Sequence, residues 1–386
     1  MQRQFADIGF KEMKNIESAN QPNIRKSNIE LLRIVAMVII VMHHFAIHGG
    51  FAFSSETISI NRLWVQFITM GGRLGVNIFV LISGCFLVSK SSIRTSKVLK
   101  LWGQVFFYSM TIFIVFCVLG LRPFSIAELI RHLAPIIFSQ WWFASIYFVL
   151  YLLTPYINRL LRTFDKKQYI CFLALLIFMW SIVPTFTMQT LYSNYLLWFI
   201  VTYSIAGYIK LFGVKTKLSG VQLIGLSITG IFITFLVVIL FDILGTKIPF
   251  FSENALYLYE MNMIPMWVIA VLLFLGFAKL NIGYSKILNM VSSATFGVYL
   301  IHDNQYIQPF LWERVFKNAS YGNSRLLIPF SLIVVFVVFS GCSIIELGRI
   351  YLIENNIDSL IRKIELLIDY KIKPIVSDKI TDLLEQ

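Results

Sequence analysis

The chain has 386 residues, of which 58% are hydrophobic and only 14% are charged, and its mean hydropathy is +0.75. A soluble domain has about 45–50% apolar and about 25% charged residues, so this composition excludes an ordinary soluble fold. The net charge of +13 would suit nucleic acid, but most of the Lys and Arg residues lie in the short loops and terminal segments outside the apolar runs, where membrane topology places them. We therefore predict an all-α, polytopic membrane helix bundle that contacts membrane lipids and binds no nucleic acid.

The apolar runs predict about ten transmembrane helices, with Lys and Arg concentrated on one side of them. That bias predicts that both termini are cytoplasmic. Residues 1–27 then form a cytoplasmic N-terminal segment, residues 28–352 a transmembrane domain, and residues 353–386 a cytoplasmic tail with the pattern of an amphipathic helix. The predicted spans are 29–48, 63–88, 98–120, 140–160, 168–187, 190–210, 220–244, 256–278, 292–312 and 326–350.

The first predicted span carries Arg33 before an apolar run and three histidines after it. Ionisable groups near the bilayer centre cost about 2.5–3.5 kcal/mol each, so those that occur are functional candidates. At about 100° per residue, Arg33 and His44 share one helical face, about 16 Å apart. His48 returns to that face, whereas His43 points away from it. The structural alternatives are a packing role for His44 and a snorkelling Arg33 paired with Glu30.

Two later spans also contain charged groups. Arg73 lies in the second predicted span beside several glycines, which allow close helix packing; a helix that began later would put Arg73 near the surface. His302 and Asp303 interrupt the ninth predicted span, and such a polar patch must face the bundle rather than lipid. His302 has a structural and a functional interpretation, because it can tie helices together or take part in chemistry.

Three motifs, in this order, resemble the acyltransferase 3 family, whose members are integral membrane acyltransferases that modify cell-surface glycans. The first is an Arg followed by ten residues and a His, from Arg33 to His44, in a helix that opens Glu-Leu-Leu-Arg. The second is GVNIFVLISGCFL at 75–87, and the third is TFGVYLIH at 295–302. The likeness implies that residues 28–352 form an acyltransferase domain.

The resemblance implies roles for these residues. His44 is expected to be the base that takes the acceptor hydroxyl proton, or to carry the acyl group transiently, with Arg33, Arg73 and His302 completing the catalytic site. Asn77 stands where many family members have an acidic residue, and it can hydrogen-bond but cannot act as a base. The basic residues in the loop at 89–100 also have an explanation without a binding role, as part of the excess of positive charge in cytoplasmic loops. The expected binding residues are Arg33, Arg94 and Lys97 for acyl-CoA phosphates, and Asn77 and Asp303 for the substrate.

The resemblance favours a plasma-membrane O-acetyltransferase. Its donor is expected to be cytoplasmic acetyl-CoA, or another acyl-CoA such as succinyl-CoA, and its acceptor a polysaccharide or lipid-linked sugar. We expect no tightly bound cofactor, and no metal, because the histidines lack carboxylates at ligand spacing. A transporter or flippase of a glycan or lipid is a second hypothesis, since apolar helices with buried charges suit it equally. A glycan polymerase is a third, although the predicted outer loops are mostly short. Consumption of the donor separates an enzyme from a transporter.

Overall fold

The computed structural model describes residues 26–54 and 57–372. Almost all of the predicted N-terminal segment 1–27, and the predicted tail from residue 373 onward, lie outside the described residues. Within the described ranges the secondary structure is helical and contains no strand. The prediction of an all-α membrane helix bundle is therefore confirmed.

The helices follow one another along the chain, mostly with short connections. Turns of π-helix at Phe178–Ile182 and Ile350–Glu354 extend two of them. The α-helices are α1 Ser27–Ile47, α2 Ile60–Leu87, α3 Thr95–Val118, α4 Ile126–Leu133, α5 Trp142–Thr163, α6 Lys166–Ile177, α7 Val183–Thr187, α8 Tyr195–Phe212, α9 Gly220–Gly245, α10 Pro249–Glu253, α11 Ile264–Lys279, α12 Lys286–Ser293, α13 Thr295–His302, α14 Ile307–Pro309, α15 Leu327–Arg349 and α16 Asn355–Leu367.

Nine helical segments of the described chain are long and apolar enough to cross a membrane. They correspond to nine of the ten predicted spans. The exception is the predicted span 292–312, where the structure has the short helices α12, α13 and α14 instead of one long helix. A turn at 303–306 ends α13, because Asp303 and Asn304 are too polar to continue an apolar span.

The interrupted segment still runs from one end of the bundle to the other. At its start, the backbone N–H of Ser285 donates to Ser27 Oγ at the beginning of α1, at 2.9 Å. At its far end, Asn61 at the beginning of α2 donates to the carbonyl oxygens of Gly322 and Ser324, at 2.8 Å each. We name the end of the bundle that contains Ser27 and Ser285 the inner end, and the end that contains Asn61 and Gly322 the outer end. The described chain therefore passes between the two ends through nine long segments and one interrupted segment.

The described part of the tail packs at the inner end, against the start of α3. Glu365 accepts a hydrogen bond from the backbone N–H of Ser96 at 2.9 Å, and Asp369 accepts one from Thr95 Oγ1 at 2.8 Å. Acidic groups at a helix N-terminus satisfy free N–H groups and complement the helix dipole. Ile361 on α16 is buried. Both ends of the described chain therefore lie at the inner end.

α1 and α2 pack closely because glycines of α2 face α1. A Cβ atom on Gly71 would collide with the backbone of Ile39, and one on Gly72 would collide with the ring of His43. Small residues of this kind allow membrane helices to approach each other. This contact fixes the orientation of α1, which presents its polar side chains to an interior cavity.

Candidate active site

A cavity of about 940 Å³ lies inside the bundle, bordered by α1, α2, α3, α5, α12, α13 and α15. Along α1 it extends from Arg33 to His48, which is about 22 Å at about 1.5 Å per residue. The apolar core of a bilayer is about 30 Å thick, so the cavity covers most of that depth. Arg349 borders it towards the inner end, and Trp142 borders its outer part. As the helical spacing predicts, Arg33 and His44 face the same space.

His44 is buried beside this cavity and is bonded through one ring nitrogen to His302. His44 Nδ1 lies 2.8 Å from His302 Nε2, and His302 Nδ1 lies 2.5 Å from the carbonyl oxygen of Val298. A carbonyl oxygen only accepts, so neutral His302 carries its proton on Nδ1 and accepts through Nε2. His44 Nδ1 then donates to His302, which leaves the lone pair on His44 Nε2. The hydrogen-bond chain therefore selects the tautomer in which His44 Nε2 can take up a proton.

Asp303 and His48 lie on the other side of the His44 ring. Asp303 Oδ1 is 3.5 Å from His44 Nε2 and 3.8 Å from His48 Nε2. Both distances exceed a normal hydrogen bond, and Asp303 Oδ1 instead accepts one from the side-chain amide of Gln308. His44, His48 and Asp303 place ligand atoms within 4.8 Å of one another, so together they can hold a metal ion. Asp303 supplies the carboxylate that spacing along the sequence does not reveal.

His43 also borders the cavity, but its ring points towards α2 and away from the face that Arg33 and His44 share, as the helical period predicts. Its Nδ1 lies 2.6 Å from the carbonyl oxygen of Thr69 on α2. Its ring packs against Gly72, where a Cβ atom would collide with it. These contacts give His43 a packing role between α1 and α2.

The position of Arg33 agrees with both of its interpretations, as an anchor paired with Glu30 and as a charged residue of the site. Its Nη1 donates to both carboxylate oxygens of Glu30, at 3.1 and 3.0 Å. Glu30 in turn accepts a hydrogen bond from the hydroxyl of Ser292 on α12. The Arg33 side chain is 28% exposed and borders the cavity. Arg33 is therefore anchored by Glu30 and still presents a positive charge to the inner part of the cavity.

Glu346 and Arg349 form a second charged pair at the inner part of the cavity. Arg349 donates to both carboxylate oxygens of Glu346, at 2.8 and 2.7 Å. The Tyr108 hydroxyl and the Gln104 amide of α3 donate to the same carboxylate, at 2.5 and 2.9 Å. Glu346 is completely buried. The signal in the sequence was an acidic residue inside an apolar helix.

Arg73 lies inside α2, which begins at Ile60, so the alternative of a helix that starts later is wrong. Its guanidinium carbon is 5.7 Å from the ring centroid of Trp142 and 5.3 Å from that of Tyr195. Its Nη2 is 3.5 Å from Glu260 Oε1. Cation–π contacts and a carboxylate thus hold Arg73 at the wall of the same cavity as His44.

Three of the expected binding residues, Asn77, Arg94 and Lys97, do not border this cavity. Asn77 donates to the carbonyl oxygen of Met261 at 2.8 Å and accepts from the indole N–H of Trp198 at 2.9 Å, so its amide joins helices. Arg94 and Lys97 border a separate pocket of about 260 Å³.

The second pocket lies next to the cavity, in the groove between α2 and α5. Ser83 and Tyr147 border the cavity, whereas Leu87 and Tyr151, one helical turn further on, border the second pocket. The Tyr147 hydroxyl donates to Ser83 Oγ at 3.0 Å, at the boundary between the two spaces. Basic side chains and serine hydroxyls line the second pocket, and this chemistry suits an anion such as a phosphate.

The fold and the cavity define a multi-pass membrane protein with a histidine-centred site inside its helix bundle. Residues 26–347 match the family model of the acyltransferase 3 family, described as an acyltransferase domain, which covers more than four fifths of the chain. The chain belongs to this family and is a membrane acyltransferase, which confirms the resemblance seen in the three motifs. No curated protein and no solved structure matches the chain.

Proposed function

We propose that the protein is a plasma-membrane O-acyltransferase with both termini in the cytoplasm. It transfers an acyl group, most simply acetyl, from cytoplasmic acyl-CoA to a hydroxyl of an exopolysaccharide, a cell-wall glycan or a lipid-linked sugar. The observation that carries the proposal is His44 Nε2, which the bond to His302 leaves with a free lone pair beside a long cavity. The Lys and Arg bias supports the orientation, in which the inner end is cytoplasmic.

In the proposed reaction His44 is the general base. Its Nε2 accepts the proton of the acceptor hydroxyl while that oxygen attacks the thioester carbonyl carbon. The C–S bond then breaks, and the CoA sulfur leaves with the proton that His44 returns. The imidazolium present between these steps has the Asp303 carboxylate 3.5 Å from Nε2, which favours the positive charge. Its Nδ1 proton stays on the bond to His302, so the ring keeps its orientation throughout.

The donor is proposed to bind from the inner end. Arg94 and Lys97 provide positive charges for the phosphates of CoA in the second pocket, where the guanidinium can bind an anion with two hydrogen bonds. The thioester arm then passes the Tyr147–Ser83 hydrogen bond into the cavity. Arg33 borders the inner part of that path.

The acceptor is proposed to approach from the outer end. Trp142 borders the outer part of the cavity, and its ring offers an apolar face against which a sugar can pack. Arg73 is held beside Trp142 and supplies a positive charge for the thioester oxygen as it becomes an oxyanion. Donor and acceptor would thus meet at His44 from opposite sides.

The test is acyl transfer by the purified full-length protein in liposomes, with radiolabelled acetyl-CoA and a glycan acceptor. Loss of a general base lowers the rate about 10²- to 10⁴-fold, so His44→Gln should lose transfer by that factor. His43→Gln is the matched control, because His43 packs between helices, and it should keep most of the activity. Full activity of His44→Gln would contradict the proposed role. A transporter or flippase would move glycan without consuming acetyl-CoA.

A further inference from the structure

We propose that His44, His48 and Asp303 form a binding site for a divalent transition-metal ion, with Zn²⁺ as the best fit, and that the bound ion blocks acyl transfer. The three side chains come from the end of α1 and from the turn after α13. They meet at the wall of the cavity. The binding part of the inference is independent of the proposed function, whereas the blocking part rests on it.

The distances among the three side chains suit a bridging ion. Zn–N bonds of about 2.0–2.1 Å and Zn–O bonds of about 2.0–2.2 Å place neighbouring ligand atoms of a tetrahedral site about 3.4 Å apart. Asp303 Oδ1 lies 3.5 Å from His44 Nε2 and 3.8 Å from His48 Nε2. All three ligand atoms lie within 4.8 Å of one another. The atoms are thus too far apart to bond each other, and small side-chain rotations would bring them to the separation that one ion requires.

Neighbouring side chains already orient two of the three ligands. His44 Nδ1 is bonded to His302, which turns the lone pair of Nε2 towards Asp303 and His48. The Asp303 oxygen accepts a hydrogen bond from Gln308. Metal-binding histidines and carboxylates are usually held by such outer hydrogen bonds, which fix the tautomer and the ring orientation.

The ligand chemistry selects the kind of ion. Two imidazoles and one carboxylate suit Zn²⁺ and similar transition metals, whereas Mg²⁺ and Ca²⁺ prefer sites made wholly of oxygen ligands. Two neutral imidazoles and one carboxylate also carry a net negative charge, which favours a divalent cation. Three protein ligands leave a fourth tetrahedral position, and His44, His48 and Asp303 all border the cavity into which it would open.

Binding of the ion would stop the proposed reaction, because the ion and the hydroxyl proton need the same lone pair. His44 Nε2 cannot hold Zn²⁺ and accept a proton at once. Zn²⁺ would therefore inhibit acyl transfer, and a chelator would restore it. An ion that served as a Lewis acid would give the opposite result, because a chelator would then abolish transfer.

The binding experiment uses the purified full-length protein in detergent, stripped with a chelator and titrated with Zn²⁺ against a chromophoric chelator of known affinity. We expect one equivalent to bind, and His48→Gln and Asp303→Asn each to weaken binding at least tenfold. His302→Leu should weaken it about 10- to 100-fold through loss of the outer hydrogen bond. His43→Gln, the matched control, should bind like the wild type. No binding by the wild type, or unchanged binding by His48→Gln, overturns the site.

The activity experiment measures transfer at increasing Zn²⁺, with each variant compared with its own rate in the absence of the ion. We expect inhibition of the wild type that a chelator reverses, and a shift of the half-inhibitory concentration of at least tenfold in His48→Gln. Transfer that is insensitive to bound Zn²⁺, or that needs it, overturns the blocking role. Full activity of His44→Gln would instead refute the proposed function, while the titration would still decide the metal site.

Discussion

His302→Leu is the perturbation that tests the hydrogen-bond chain most directly. His302 is completely buried behind His44, and His44 Nδ1 lies 2.8 Å from its Nε2. Leucine removes the acceptor and leaves the His44 N–H without a partner. The imidazole then loses its preference for the tautomer with the lone pair on Nε2, because Nε2–H can turn to the Asp303 carboxylate instead.

The size of the effect follows from the lost bond. A buried donor without a partner costs about 1–3 kcal/mol, and about 1.4 kcal/mol is a factor of ten. We therefore expect kcat to fall about 5- to 150-fold, and in the same assay to fall less than in His44→Gln. His302→Gln should recover most of this, because its side-chain oxygen can accept the same hydrogen bond. Since His302 is behind His44, the KM for acetyl-CoA should stay near that of the wild type.

The assay measures kcat and KM for acetyl-CoA in liposomes, with thermal unfolding of each variant in detergent as the folding control. A positioning residue predicts a lowered kcat with an unchanged KM, and rescue by glutamine. If folded His302→Leu keeps full kcat, or if glutamine is no better than leucine, then His302 does not set the tautomer of His44.

Further predictions concern the donor site, the helix packing, the short helix α4 and the topology. Arg33→Ala should raise the KM for acetyl-CoA about 10- to 150-fold, since a charged hydrogen bond is worth about 1.5–3 kcal/mol; an unchanged KM would leave Arg33 as an anchor of Glu30. Gly71→Val should lower the free energy of unfolding by about 1–3 kcal/mol, measured in detergent, because its side chain would collide with α1. Burial lowers the pKa of the His132 imidazole in α4, so the folded protein favours its neutral form. The free energy of unfolding should therefore fall as the pH drops below about 6.5. His132→Gln should reduce this pH dependence, measured by thermal unfolding between pH 5 and 8. A reporter fused after Gln386 should be cytoplasmic and one inserted in the loop before α4 should be outside; a reversed pattern would contradict the proposed orientation.

Local patterns in the sequence predict most of the helices and one face of the site. Apolar runs long enough to span a bilayer need only local information, so nine of the ten spans were correct. The helical period also needs only local information, and it correctly places Arg33 and His44 on one face. The same period correctly turns the His43 ring away from that face, towards α2.

Local sequence patterns do not predict contacts between residues that are distant in the chain. His44 and His302 are far apart in the chain, and only the assembled bundle shows that their rings are bonded. Asn77 was expected to contact substrate, yet its amide bonds Met261 and Trp198, neither of which the motif indicates. Glu346 needs partners from another helix to be stable when buried, and those partners can be identified only once helix packing is known.

The interruption of the predicted ninth span explains how the site is built. His44 Nδ1 contacts His302 and His44 Nε2 faces Asp303, so two consecutive residues reach the two nitrogens of one ring. α13 ends at His302, and the turn that follows lets Asp303 border the cavity while His302 stays behind the ring. A continuous helix would carry Asp303 and Asn304 through the apolar layer, where polar groups without partners cost several kcal/mol. The turn gives these groups partners inside the bundle, since Asp303 bonds Gln308 and Asn304 accepts from the N–H of Tyr306. The same polar residues that prevent a long helix are therefore the ones that assemble the surroundings of His44.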